Sequence, residues 1–98
     1  MTWIEVKRRV IKERGYKCEH CERAGSVEAH HVFFHRKKGM KELDVEENMM
    51  LVCRECHPFM NGYEKKCWYW DVQAHRYSEE HMREWHDSVP LKCKDMWW

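Results

Sequence analysis

Apolar residues near the N-terminus recur with the period of a helix. Trp3, Val6 and Val10 fall on one face, and Ile4 and Ile11 widen the stripe. Thr2 and Glu5 have the spacing of a capping box, in which each side chain satisfies an orphan backbone N–H. Gly15 supplies a left-handed stop, and Lys12 and Arg14 in the last turn complement the helix dipole. The pattern predicts a helix over residues 3–14. Val27 to Phe34 reads as a short strand, and Met49-Met50-Leu51-Val52 as a second, compact one. Between them, His35 to Asn48 is charged, carries Gly39 and reads as a loop. A helix is expected from about Arg54, with Pro58 tolerated in its first turn. Residues 63–77 read as its continuation or as a second helix. Ser78-Glu79-Glu80 is a good helix start, Met82 and Trp85 share its apolar face, and Pro90 closes it near residue 88. Leu91 to Trp98 reads as a tail.

Composition narrows the class. Ninety-eight residues suit one domain and one modest core, with 43% hydrophobic and 36% charged residues. Eighteen Lys and Arg against 17 acids give a formal net charge of +1, which excludes both a histone-like chain and an acidic disordered tail. No apolar run has the length of a signal peptide or a membrane span, so a reducing cytoplasm is expected and no membrane partner. Six Cys and eight His in so short a chain point to metal, disulfides or both.

Cys18-x-x-Cys21 and Cys53-x-x-Cys56 supply four thiolates, the number Zn²⁺ takes in a closed structural site. One knuckle follows a helix; the other sits where a strand is expected to turn into one, as in a treble clef. Two disulfides, a redox dithiol or an iron–sulfur cluster are the competing uses of these residues. In a reducing compartment structural zinc is the expectation.

That zinc would leave the histidines unexplained. His30-His31 lies in the first expected strand, Asn48 precedes the second, and His57 follows Cys56. Neighbouring side chains in a strand point to opposite faces, so the pair is expected to do two different jobs. His57 is tied to the knuckle, which fixes its direction.

The set Cys18-Glu-His-Cys21, Ala29-His30-His31-Val32 and Glu47-Asn48-Met49-Met50-Leu51-Val52-Cys53-Arg54-Glu55-Cys56-His57 resembles the HNH endonucleases, also called His-Me finger or ββα-metal nucleases. Eight residues separate Cys21 from His30, and eight separate Asn48 from His57. The resemblance covers about residues 5–62 and leaves 63–98 as a C-terminal helical extension of a single domain over residues 1–98. It implies an α+β, zinc-stapled, treble-clef-like ββα-metal fold with an N-terminal helix. It also implies metal-dependent hydrolysis of DNA phosphodiesters, by nicking or double-strand cleavage. His30 and His57 would hold one catalytic divalent ion (Mg²⁺, Mn²⁺, Ni²⁺ or Zn²⁺), His31 would be the general base, and Asn48 would hold the loop and strand that aim it. Imidazole suits the base role because its pKa lies near neutrality. Some family members carry another His four residues after the last motif His; here that position is Asn61, better read as a polar residue near a helix end. Short free-standing members of the family occur in phages, restriction systems, mobile introns and packaging machinery, and a bacterial or phage-infected cytoplasm is expected.

Under that resemblance, His35, Arg36, Lys37, Lys38 and Lys41 become candidate phosphate contacts. Lys7, Arg8, Lys12 and Arg14 would extend the same surface. Trp68-Tyr69-Trp70 and Trp97-Trp98 are expected in the core or at a homodimer interface, and Cys67 and Cys93 as buried thiols. The rival from another class is a non-catalytic zinc module that binds nucleic acid or protein.

Overall fold

A computed structural model of the chain describes residues 2–34, 40–60 and 62–94. His35, Arg36, Lys37, Lys38, Asn61, Trp97 and Trp98, all singled out above, lie outside the described residues. Helix α1 spans Trp3–Arg14, as the apolar period predicts. The Thr2 hydroxyl accepts from the Glu5 amide at 3.3 Å, and Gly15 closes the helix at φ 90°. Strands β1 (Glu28–His31) and β2 (Met49–Val52) form an antiparallel pair. Helices α2 (Tyr63–Tyr77), α3 (Glu79–Ser88) and α4 (Leu91–Lys94) follow.

The pairing register decides what each strand face meets. Ala29 opposes Leu51 and His31 opposes Met49, so these four share a face. Met49 and Leu51 there pack with Val6 and Val10 of α1. Glu28 opposes Val52 and His30 opposes Met50 on the other face. Met50 and Val52 join the larger core with Phe33, Phe34, Tyr69 of α2 and Met82 of α3. Both faces of β2 are covered, which is why its sequence is an unbroken apolar run.

Three expectations about the elements are corrected. The helix from about Arg54 does not form; a single 3₁₀ turn occupies His57–Phe59 instead. Gly62 at φ 113° breaks the path into α2. Residues 91–94 are not plain tail but the turn of helix α4. The first strand stops at His31 rather than Phe34, because the amides of Phe33 and Phe34 both donate to the Asn48 side chain.

A buried polar network ties the elements together, and sequence patterning missed it. Arg14, expected on the surface, has a side chain only 6% exposed. Its guanidinium donates to Glu19 (3.2 Å), to the Met49 and Glu46 carbonyls (2.9 and 3.0 Å), and to the hydroxyls of Tyr69 and Tyr77 (3.0 and 2.9 Å). Glu19 also accepts from the Leu51 amide at 2.6 Å and from Arg76 at 2.6 Å. Gln73 donates to the carbonyls of Glu46 and Glu47. The network joins the end of α1, the first knuckle, the turn before β2 and helix α2. A charge pair so enclosed is stable only because its remaining donors and acceptors are satisfied. Cys93 is buried as expected, but Cys67 is exposed; Tyr69 is buried, Trp70 packs against the core, and Trp68 is 37% exposed. No helix among the described residues is long and apolar enough to cross a membrane.

Candidate functional site

The first knuckle is shaped by backbone bonds. The Cys18 amide donates to the Arg23 carbonyl at 3.0 Å, Glu22 adopts φ 62°, and a Lys17–Ala24 bridge closes the loop. The Glu19 amide donates to the Leu51 carbonyl at 2.8 Å, fastening this loop to β2, whose end carries the second knuckle. Cys18, Cys21, Cys53 and Cys56 converge as a result, with all four sulfurs within 4.8 Å of one another. Cys21 and Cys53 Sγ are 3.7 Å apart. Tetrahedral Zn–S bonds require a sulfur–sulfur separation of about 3.8 Å, so the donor set fits a closed tetrahedral metal site. Burial raises the Cys18 thiol, but the amides of Cys21, Cys53 and His20 outweigh it and hold its pKa down to about 6. Burial and the neighbouring thiols push Cys56 up to about 12. A divalent ion would relieve that mutual repulsion by binding all four as thiolates.

On the strand face turned away from α1, Glu28 and His30 sit side by side at i and i+2. His57 enters from the 3₁₀ turn after the second knuckle and spans both. Its Nε2 lies 3.1 Å from His30 Nδ1, and its Nδ1 lies 2.7 Å from Glu28 Oε2. Two imidazole nitrogens sharing one divalent ion stand about 2.9–3.4 Å apart, from octahedral to tetrahedral geometry, so this pair too fits a metal. Glu28 escaped the sequence reading, although its signal was available in the two-residue period that aligns it with His30.

His31 lies on the opposite face, as strand alternation requires. Its ring stacks on Trp3 of α1, with centroids 4.6 Å apart, and its Nε2 lies 3.0 Å from Asp44 Oδ1. Both side chains are largely enclosed, at 16% and 7% exposure. Asp44 sits in a loop of no regular period, so nothing in the sequence marked it as a partner. Asn48 is fully buried just before β2. Its Oδ1 accepts from the amides of Phe33 and Phe34 at 3.0 and 2.9 Å, and its Nδ2 donates to the carbonyls of Phe34 and Leu43 at 2.9 and 3.2 Å. Asn48 therefore clamps the segment that leaves β1 directly after His31.

Residues 18–58 match the HNH endonuclease family model. This segment is similar to HNH domains. No curated protein and no solved structure matches the chain. The HNH match contains both knuckles, both strands, the three motif histidines and Asn48, and it supports nuclease activity at the level of the family. Helices α1 and α2 lie outside the matched HNH segment yet complete its surroundings, through Trp3 against His31 and through Tyr69, Gln73 and Arg76 in the buried network. Of the five candidate phosphate contacts, Lys41 alone lies among the described residues, and it is exposed.

Proposed function

We propose that the chain is a metal-dependent HNH endonuclease that hydrolyses DNA phosphodiester bonds, built on a treble-clef-like ββα-metal core stapled by a structural Zn²⁺. The observation that carries this is the 3.1 Å approach of His30 and His57 nitrogens beside the four-cysteine cluster. Cys18, Cys21, Cys53 and Cys56 hold the zinc. His30 and His57 hold a second divalent ion, which when bound supplies positive charge beside the scissile phosphate. His31 accepts the proton of the attacking water at Nδ1, while Asp44 takes the Nε2 proton in a hydrogen bond and fixes the tautomer. Asn48 holds the turn that follows His31. Lys41, with the basic residues 35–38 and the polar side of α1 (Lys7, Arg8, Lys12), neutralises flanking phosphates without reading sequence.

One observation favours a second reading. The His31 ring is packed on Trp3 and paired to Asp44 on the face opposite the His30–His57 pair. An imidazole so enclosed serves equally as a structural residue, in which case the chain is a non-catalytic zinc module. Supercoiled plasmid incubated with Mg²⁺, Mn²⁺ or Ni²⁺ separates the two. Nicking by wild type that is lost in a folded His31→Ala variant supports the nuclease with His31 as base. Inactivity of both with every ion, the fold intact, supports the binding module.

A further inference from the structure

We infer that Glu28 is a positioning residue for the second metal: it fixes the tautomer of His57 and aims the bare nitrogen that faces His30. This rests on the reading of His30 and His57 as ligands of a divalent ion.

The argument begins with strand geometry. Glu28 and His30 project from the same face of β1 two residues apart, and the His57 ring bridges them. A carboxylate only accepts hydrogen bonds, so the 2.7 Å contact puts the His57 proton on Nδ1. The lone pair of a neutral His57 is then on Nε2, the atom 3.1 Å from His30 Nδ1. Without Glu28 either tautomer is open to His57, and one of them points an N–H at the metal position. The carboxylate also holds the orientation of the ring, the general role of a carboxylate behind a metal-bound histidine. Stability does not explain the contact well. Glu28 and His57 side chains are 48% and 39% exposed, and an ion pair that open contributes little to folding.

The test uses the zinc-loaded full chain and Mn²⁺, a hard ion that does not compete for thiolates. Loss of the free Mn²⁺ electron paramagnetic resonance signal reports binding. Wild type should bind one Mn²⁺, and Glu28→Ala should bind it about 10- to 100-fold more weakly with zinc content unchanged. Glu28→Gln, which keeps an acceptor but loses the charge, should fall between. Equal affinity in wild type and Glu28→Ala overturns the role of Glu28 and leaves the metal site standing. Absence of any Mn²⁺ binding by wild type overturns the metal site itself, and the role of Glu28 with it. Nitrogen-15 spectra of the wild-type His57 ring need no variant: a protonated Nδ1 and bare Nε2 are expected, and the reverse tautomer contradicts the inference.

Discussion

At the scale of single residues, Asn48 and Lys66 are the most informative. Every hydrogen-bonding group of the Asn48 side chain is used, on the amides of Phe33 and Phe34 and the carbonyls of Phe34 and Leu43. Asn48→Ala leaves those buried groups without partners and should cost about 3 kcal/mol, read as a lower denaturation midpoint at unchanged slope. A loss below about 0.5 kcal/mol would mean that water replaces the clamp. Lys66 is 3% exposed and donates to the Phe33 carbonyl at 2.7 Å. Burial lowers its pKa to about 8, below its value in an unfolded chain. Below that pH Lys66 is charged in both states and its unfavourable contribution is constant. Between about 8 and the unfolded value the unfolded state binds more protons, so stability gains from this group as pH rises. Comparing the pH dependence of unfolding in wild type and Lys66→Met isolates the term. The gain should be present in wild type and missing in the variant.

Among the elements, legibility followed periodicity. Helices α1 and α3 carry clean apolar periods and recognisable caps, strand β2 is a bounded apolar run, and each forms where its pattern predicts. The segment after the second knuckle misleads because Cys53 to Asn61 obeys metal-ligand spacing, Pro58 and Gly62 rather than a helical period. Cysteine spacing was enough to foresee the four-sulfur cluster, and strand alternation to foresee that His30 and His31 part ways. Asp44 was invisible because a partner across a fold leaves no local signature, whereas Glu28 shares the strand period of His30 and was overlooked. Arg14 misled for a related reason. A basic residue in the last turn of a helix suits solvent and dipole alike, and only the meeting of α1 with Glu19, Tyr69 and Tyr77 reveals it as internal. Arg14→Met should therefore destabilise the protein by about 3–5 kcal/mol, since it strips a buried carboxylate of one partner. Arg8→Met, on the exposed side of the same helix, should leave the melting temperature unchanged and weaken DNA binding only. Equal melting temperatures for the two variants would place Arg14 outside any energetic network.

For the whole molecule, the near-neutral charge and the small core lead to two consequences. If the chain acts on DNA as proposed, four thiolates and one Zn²⁺ would change its formal charge by −2, from +1 to −1, and bulk attraction would not bring DNA to the site. Affinity must come from local cations, and it should fall steeply with salt. The four-cysteine cluster also joins residues far apart in sequence, at the junction of the first knuckle and β2. Apparent binding energies of structural zinc are about 10 kcal/mol or more, comparable to the whole stability of a domain. Chelation should consequently unfold the chain, with loss of far-ultraviolet helical signal and release of about one zinc per chain. A metal-free chain that keeps its fold would contradict the staple. The most direct test of the nuclease is the cleavage of supercoiled plasmid by His57→Ala in the presence of Mn²⁺. Zinc content and melting temperature should match wild type while nicking disappears. Undiminished nicking by that variant would contradict a catalytic metal held by His30 and His57.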